Sequence, residues 1–359
     1  MYSNKSNTKM IFKSTGKRGL FDEQNAIDLM SEMGNSLERL TKVVDFEMFR
    51  PLLEDKLTPK VRKYQGGARP FDYVMMFKII ILQRLFGLSD KQVQYQITDR
   101  LSFKEFLGLS SGDKVPDEKS VWAFRERLTK EGVVEELFAM FHNHLNSKGL
   151  IINEGKMVDA SFTTAPRQRN TPDENKKIKN GEGNDLWNDN PHKKRHKDVD
   201  ARWTKKGGDT FYGYKNHAKV DSKSKLIDDY AVTDASVHDS QLLGDLLCED
   251  DRDQDFHADS AYTGENQEAV IDKYGLVNKV CEKGYRNKPL TDEQKASNRE
   301  KSKIRARVEH VFGFMEQTMQ GLHLRSIGLE RARGIIGLIN LTYNLCRFEQ
   351  IVRLGIVLK

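Results

Sequence analysis

Cysteine is scarce in this chain. Its 359 residues hold three, Cys248, Cys281 and Cys346, far apart and without paired spacing. That pattern excludes a disulfide framework and predicts free, buried thiols in a reducing cytoplasm. Long apolar runs are missing too. The longest, YVMMFKIIILQRLFG from Tyr73, is broken by Lys78, Gln83 and Arg84, too short and too interrupted to span a bilayer. The opening stretch, MYSNKSNTKMIFKSTGKRG, is basic but has no apolar segment long enough for a secretory signal. No membrane partner is expected. Nor is one sign of charge dominant: the net charge is +6, so its distribution matters more than its size. What is present, 37% hydrophobic and 31% charged residues, suits a highly charged globular protein long enough for two domains.

The charge is uneven. PHKKRHKDVDARWTKKGG, from Pro191, is dense in Lys and Arg, and a polar stretch from Arg167 precedes it. The region from about 167 to 208 has almost no aliphatic residues, so it reads as a mobile or extended insertion. It is either a solvated linker or an arm whose Lys193, Lys194 and Arg195 replace counterions on a nucleic-acid backbone. Trp187 and Trp203 within it are candidates for stacking on bases.

Before this insertion the chain is helical in pattern. FDEQNAIDLMSEMG and NSLERLTKVV space apolar residues at three and four. Ser89 with Gln92, and Ser102 with Glu105, each fit a capping-box start. DEKSVWAFRERLTKEG then sets Arg125 and Arg127 beside Trp122 and Phe124. Successive short helices ending in a basic one suit either a helix-turn-helix DNA reader or plain helical packing. Residues 1–150 are therefore read as an all-α N-terminal domain.

After Leu150 the texture changes to short β-branched and aromatic runs, GKMVDASF, TFYGYKNHAKVD, KLIDDYAVT, DFHADSAY and LVNKVCEKG, with helical stretches between the later ones. A hairpin-linked start followed by alternating helix and strand predicts a mixed α/β sheet over 151–359. This is also the element order of an RNase H-like fold.

Three acids sit in apolar surroundings there. Asp159 lies mid-strand in MVDAS, where an uncompensated carboxylate is costly. Asp259 ends the fourth run, placed either to cap the next helix or to join a converging set. Glu309, between Val308 and Val311 two positions on, is on a helix patterned for burial, with Arg305 one turn earlier on the same face. Three converging acids without a His or Cys cluster suit Mg²⁺ or Mn²⁺, and the chemistry that wants them is two-metal-ion phosphoryl transfer.

MVDAS, YGYKNHAKVD, VHDS, ADSAYTG and RARVEHVFG, in that order, resemble the landmarks of DDE transposases of bacterial insertion sequences, within the insertion-sequence-5 family. The helical stretch before Leu150 is similar to that family's N-terminal domain. The resemblance implies an RNase H-like catalytic domain with Asp159, Asp259 and Glu309 as catalytic metal ligands. It implies two Mg²⁺ or Mn²⁺ ions, cutting at terminal inverted repeats and joining of the freed 3′ ends to target DNA. A dimer on double-stranded DNA, in the nucleoid of a bacterial cytoplasm, goes with that activity. One family motif sets a Tyr, an Arg and a Lys around the glutamate. Arg305 matches the Arg, but Ser302 and Glu316 stand at the other two positions. Arg305 and Arg307 are then candidate DNA contacts.

Further candidates surround the acids. Lys215 and His217 alternate along one strand, either facing the site and its scissile phosphate or lying on an exposed face. His238 and Asp239 begin a helix, as caps or as active-site neighbours. Tyr262 stacks on a base or packs in the core. A metal-dependent nuclease without strand transfer, and an inactive transposase acting as a repressor, remain as readings from other classes.

Overall fold

The computed structural model describes residues 19–59, 69–285 and 288–356. The basic opening stretch thus lies almost wholly outside the described residues. The first half is helical: α1 Asp22–Glu32, α2 Ser36–Val43, α3 Arg50–Leu57, α4 Tyr73–Leu85, α5 Asp90–Asp99, α6 Leu101–Leu107, α7 Glu118–Lys130 and α8 Val133–Ser147. Ser89 closes the expected capping box on Gln92 at the start of α5. Ser102 does not. Helix α6 begins at Leu101, directly after Arg100 in extended geometry, and has no side-chain cap. The break between α5 and α6 is too tight for a cap, and Ser102 falls inside the helix.

The second half runs β1 Gly155–Thr164, α9 Pro172–Lys179, α10 Pro191–Arg195, β2 Arg202–Lys206, β3 Asp209–Asp221, β4 Ile227–Asp234, α11 Leu243–Leu246, β5 Asp255–His257, α12 Glu265–Lys273, β6 Val277–Asn278, α13 Asp292–Gln317 and α14 Leu329–Leu354. Strand β3 pairs antiparallel with β1, β2 and β4, whereas β1, β5 and β6 are parallel. The sheet is mixed, as expected. With β2 set aside, the order β4-β3-β1-β5-β6 is that of an RNase H-like sheet.

The polar insertion is folded, which corrects the expectation of an extended arm. Thr171 and Glu174 cap α9 reciprocally, and β2 joins the sheet by pairing with β3. Trp187 is buried, and its indole Nε1 donates to Glu174 Oε1 at 2.7 Å. Polar side chains, rather than an aliphatic core, hold the segment in shape. Trp203 remains 44% exposed.

One apolar core runs from α2 through α8 to one sheet face and α14. Helix α14, expected to close the catalytic region, also packs on α2, α4, α7 and α8. Its Gly337 faces Tyr230 and Val134 so closely that a Cβ would not fit. Buried polar residues fix its register: Asn344 Nδ2 donates to the Ile227 carbonyl at 2.8 Å, and Asn216 Nδ2 donates to Asn340 Oδ1 at 2.7 Å. A smaller core beneath α11 and α12 covers the other sheet face around Val158 and Phe256.

A charged network is buried near the start of β1. Asp228 meets His142 at 2.6 Å, Lys156 at 3.0 Å and Lys219 at 3.1 Å, and Lys219 also reaches Asp251 at 2.9 Å. Burial opposes ionisation of Asp228, but His142, Lys156 and Lys219 outweigh it and hold its carboxyl far below the usual range. Cys281 is buried and Cys248 exposed, against the expectation that all three thiols are buried.

Candidate active site

Strands β1 and β5 set the site. Their parallel register pairs Gly155 with Asp255 and Met157 with His257. Two residues beyond this last pair lie Asp159, still within β1, and Asp259, just past the end of β5, where it opens the next turn. Asp259 does cap the turn that follows: its Oδ1 accepts from the Ala261 amide at 2.8 Å. Capping and site membership are compatible, because the amide uses one oxygen and orients the other.

Asp159 is largely buried, and its Oδ1 accepts from the Ala160 amide at 2.8 Å. Burial raises its carboxyl to about 6; the Ala160 amide opposes this, Asp259 adds to it, and Lys206 and Arg305 offset part. Helix α13 packs on β1 and β5 and brings the third acid. Arg305 Nη2 donates to Glu309 Oε1 at 2.9 Å, and its Nη1 lies 3.6 Å from Asp159 Oδ2. Glu309 is 57% exposed and turned to Arg305. Among the described residues, no three His, Cys, Asp or Glu side chains converge tightly enough to hold one ion.

Tyr262 is buried beside this edge. Burial suppresses the acidity of its hydroxyl, and Asp159, Asp239 and Asp259 add to the effect. The hydroxyl has no partner among the described residues. Asp239 accepts from Lys215 Nζ at 2.7 Å and lies 3.7 Å from Lys206. His238, not Asp239, caps the following turn, its Nδ1 lying 2.9 Å from Ser240 Oγ.

Lys215 and His217 stand on the other sheet face. Directly opposed residues of an antiparallel pair share a face. Asp159 opposes Ala218, whereas His217 opposes Ala160 and Lys215 opposes Phe162. The alternation that suggested a shared face is real, but it is the face away from Asp159. His217 Nε2 pairs with Thr233 Oγ1 at 2.9 Å, and burial, with Lys215, lowers its pKa to about 4 against the pull of Asp239.

The other basic candidates scatter. Arg307 donates to the Ser222 carbonyl at 2.8 Å. Lys193 pairs with Glu174 at 2.7 Å, and Lys194 donates to the Asn184 carbonyl at 2.7 Å, so both tie the insertion together. Arg125 forms a bidentate pair with Asp90, Nη2 to Oδ2 at 2.9 Å, and Arg127 is half-buried on α7. Arg125 and Arg195 line one cavity. Ser302 Oγ is 3.7 Å from Cys281 Sγ, and Glu316 is exposed.

Sequence reasoning missed Lys206, which approaches the site from β2. The signal was Gly207-Gly208, both at positive φ, a two-residue hairpin turn between β2 and β3.

Residues 154–345 match the family described as the transposase DDE domain, and residues 25–127 match another described as a transposase domain. Among solved structures, the chain is similar to the piggyBac transposase in its cryo-EM synaptic complex with hairpin DNA. That likeness has a TM-score of 0.45 at 11% identity, over 92% of this chain and 78% of the other.

Proposed function

This chain belongs to the transposase DDE-domain family, and we propose that it binds the terminal inverted repeats of an insertion sequence of the insertion-sequence-5 kind, cuts at the element ends and joins the 3′ ends to target DNA. The observation that carries this reading is that Asp159 on β1 and Asp259 just past the end of the parallel neighbour β5 each lie two residues beyond the Met157–His257 pair, with Glu309 joined to Asp159 through Arg305.

The donors fit hard cations. Carboxylates are hard oxygen donors, and Asp159, whose pKa burial raises to about 6 with a smaller push from Asp259, is a carboxyl whose ionised form an added cation would favour. Asp159, Asp259 and Glu309 would hold two Mg²⁺ or Mn²⁺ ions. When bound, such ions supply an activated water or 3′-hydroxyl and stabilise the leaving oxygen. The protein's own part is placement. The Ala160 and Ala261 amides fix one oxygen of each aspartate, and the other oxygen of Asp159 lies 3.6 Å from Arg305. Tyr262 and the small core behind it keep water from that side. Arg305, released from Glu309, supplies a cation for a DNA phosphate, and Lys215 positions Asp239 behind the site. The helical region to residue 150 serves DNA binding, the remainder catalysis, and two copies pair on two element ends.

The test is an assay of purified protein with Mg²⁺ or Mn²⁺ and labelled linear DNA ending in the element's own repeat. Cutting at the repeat boundary and joining to plasmid, both lost in Asp259→Ala and Glu309→Gln, supports the proposal. Cutting without joining gives a nuclease instead. Binding without cutting, unchanged by either substitution, leaves a repressor.

A further inference from the structure

A cavity of about 390 Å³ lies between the helical region, α10, the segment after α13 and α14. Its size is that of an ordinary small-ligand site. Five arginines line it, Arg84, Arg125, Arg195, Arg325 and Arg331, against two carboxylates, Asp90 and Glu126. Both acids are engaged: Asp90 grips Arg125, and Glu126 accepts from Arg331 Nε at 2.9 Å. Among the described residues, Arg84, Arg195 and Arg325 have no carboxylate partner.

Arg84 is the informative member. Its Nε is buried with no hydrogen-bond partner among the described residues, and so is Ser326 Oγ, which lines the same cavity. Buried donors left unpaired are costly and point to a missing acceptor. Burial depresses the guanidinium to about 9, Arg125 and Arg325 push it the same way, and Asp90 alone opposes them. Like charges gathered around unpaired donors lack an anion. At the mouth stands Trp122, 51% exposed, an apolar face on which a base can stack.

We propose that this cavity is a phosphate-binding site that seats one nucleotide of a DNA strand, with its phosphate on Arg84, Arg325 and Ser326 and its base against Trp122. Arginine's planar fork suits phosphate oxygens. The site is separate from the three acids. Its assignment to DNA rests on the transposase reading, whereas the phosphate chemistry does not.

The experiment uses full-length protein without divalent metal, so it reads binding independently of cutting. In one arm, thermal melting is followed with and without deoxyadenosine monophosphate. In the other, binding to a short fluorescent duplex is measured across a salt series. The wild-type melting point is expected to rise with the nucleotide. Arg325→Ala, at an exposed position, and Arg84→Met should both abolish that rise. Arg84→Met should keep or raise the melting point of the free protein, because an unpaired buried guanidinium is gone. Arg325→Ala should weaken duplex binding several-fold and lower the salt slope by about one. Loss in both arms supports the DNA site. Loss of the nucleotide shift with duplex binding intact assigns the pocket to a free nucleotide and overturns the DNA assignment. No change in either arm overturns the phosphate site altogether.

Discussion

Arg305 and Glu309, one turn apart on α13, are joined by a 2.9 Å hydrogen bond from Nη2 to Oε1, and the same guanidinium lies 3.6 Å from Asp159. One fixed cation thus stands between two of the three acids. Its bond to Glu309 is at the surface, where such pairs contribute less than about 1 kcal/mol. The arrangement is therefore easily exchanged. Arg305→Ala is expected to tighten Mn²⁺ binding by about two- to five-fold, the equivalent of that small pairing energy, as read by calorimetry. Weaker Mn²⁺ binding in the variant would show that Arg305 does not compete with the ion.

His217 should make the fold acid-labile. It is buried, and its pKa falls to about 4 in the folded protein, against an unfolded value near 6.5. Stability from keeping it neutral is present above the unfolded value and is lost as pH falls from there through the folded value. The loss between pH 7 and pH 4 is roughly 3 kcal/mol for this group. His217→Gln, which can keep the bond to Thr233, should flatten that part of the profile in urea titrations. Equal acid slopes in the two proteins would refute the assignment.

The network around Asp228 predicts a larger effect at neutral pH. Asp228→Asn leaves Lys156 and Lys219 buried with only Asp251 to answer both. Breaking a buried pair in this way costs about 3–5 kcal/mol, visible as a lower denaturation midpoint with the denaturant slope unchanged. A change below about 1 kcal/mol would mean the network is hydrated in solution.

Gly337 tests the packing of α14. A methyl there meets Tyr230 and Val134 at once, so Gly337→Ala should destabilise by about 1–3 kcal/mol despite alanine's better helix propensity. A stabilised variant would mean that α14 sits further from β4 and α8 than the structure has it.

The placement of the three candidate acids in the fold was legible in the sequence, and the reason is local. Asp159 and Asp259 sit in or directly after strand-like apolar runs that pair in parallel, and Glu309 follows helical spacing from Arg305. What could not be read depends on partners distant in sequence. Arg125 suited either a DNA reader or helical packing, and its partner Asp90 lies 35 residues away. Lys215 and His217 alternate correctly, but which sheet face they take is set by register with β1. The insertion looked disordered because its contacts are polar: Trp187, Lys193 and Thr171 all converge on Glu174.

The metal site is tested most directly by Mn²⁺ titration, followed by calorimetry, of wild-type protein beside Asp159→Asn, Asp259→Asn, Glu309→Gln and Asp239→Asn. Asp239 lies close by but is held by Lys215, so it serves as the control. The first three substitutions are each expected to weaken Mn²⁺ binding sharply, while Asp239→Asn leaves it near wild type. Wild-type binding in Asp259→Asn, or an equal loss in Asp239→Asn, would contradict a metal site built on Asp159, Asp259 and Glu309.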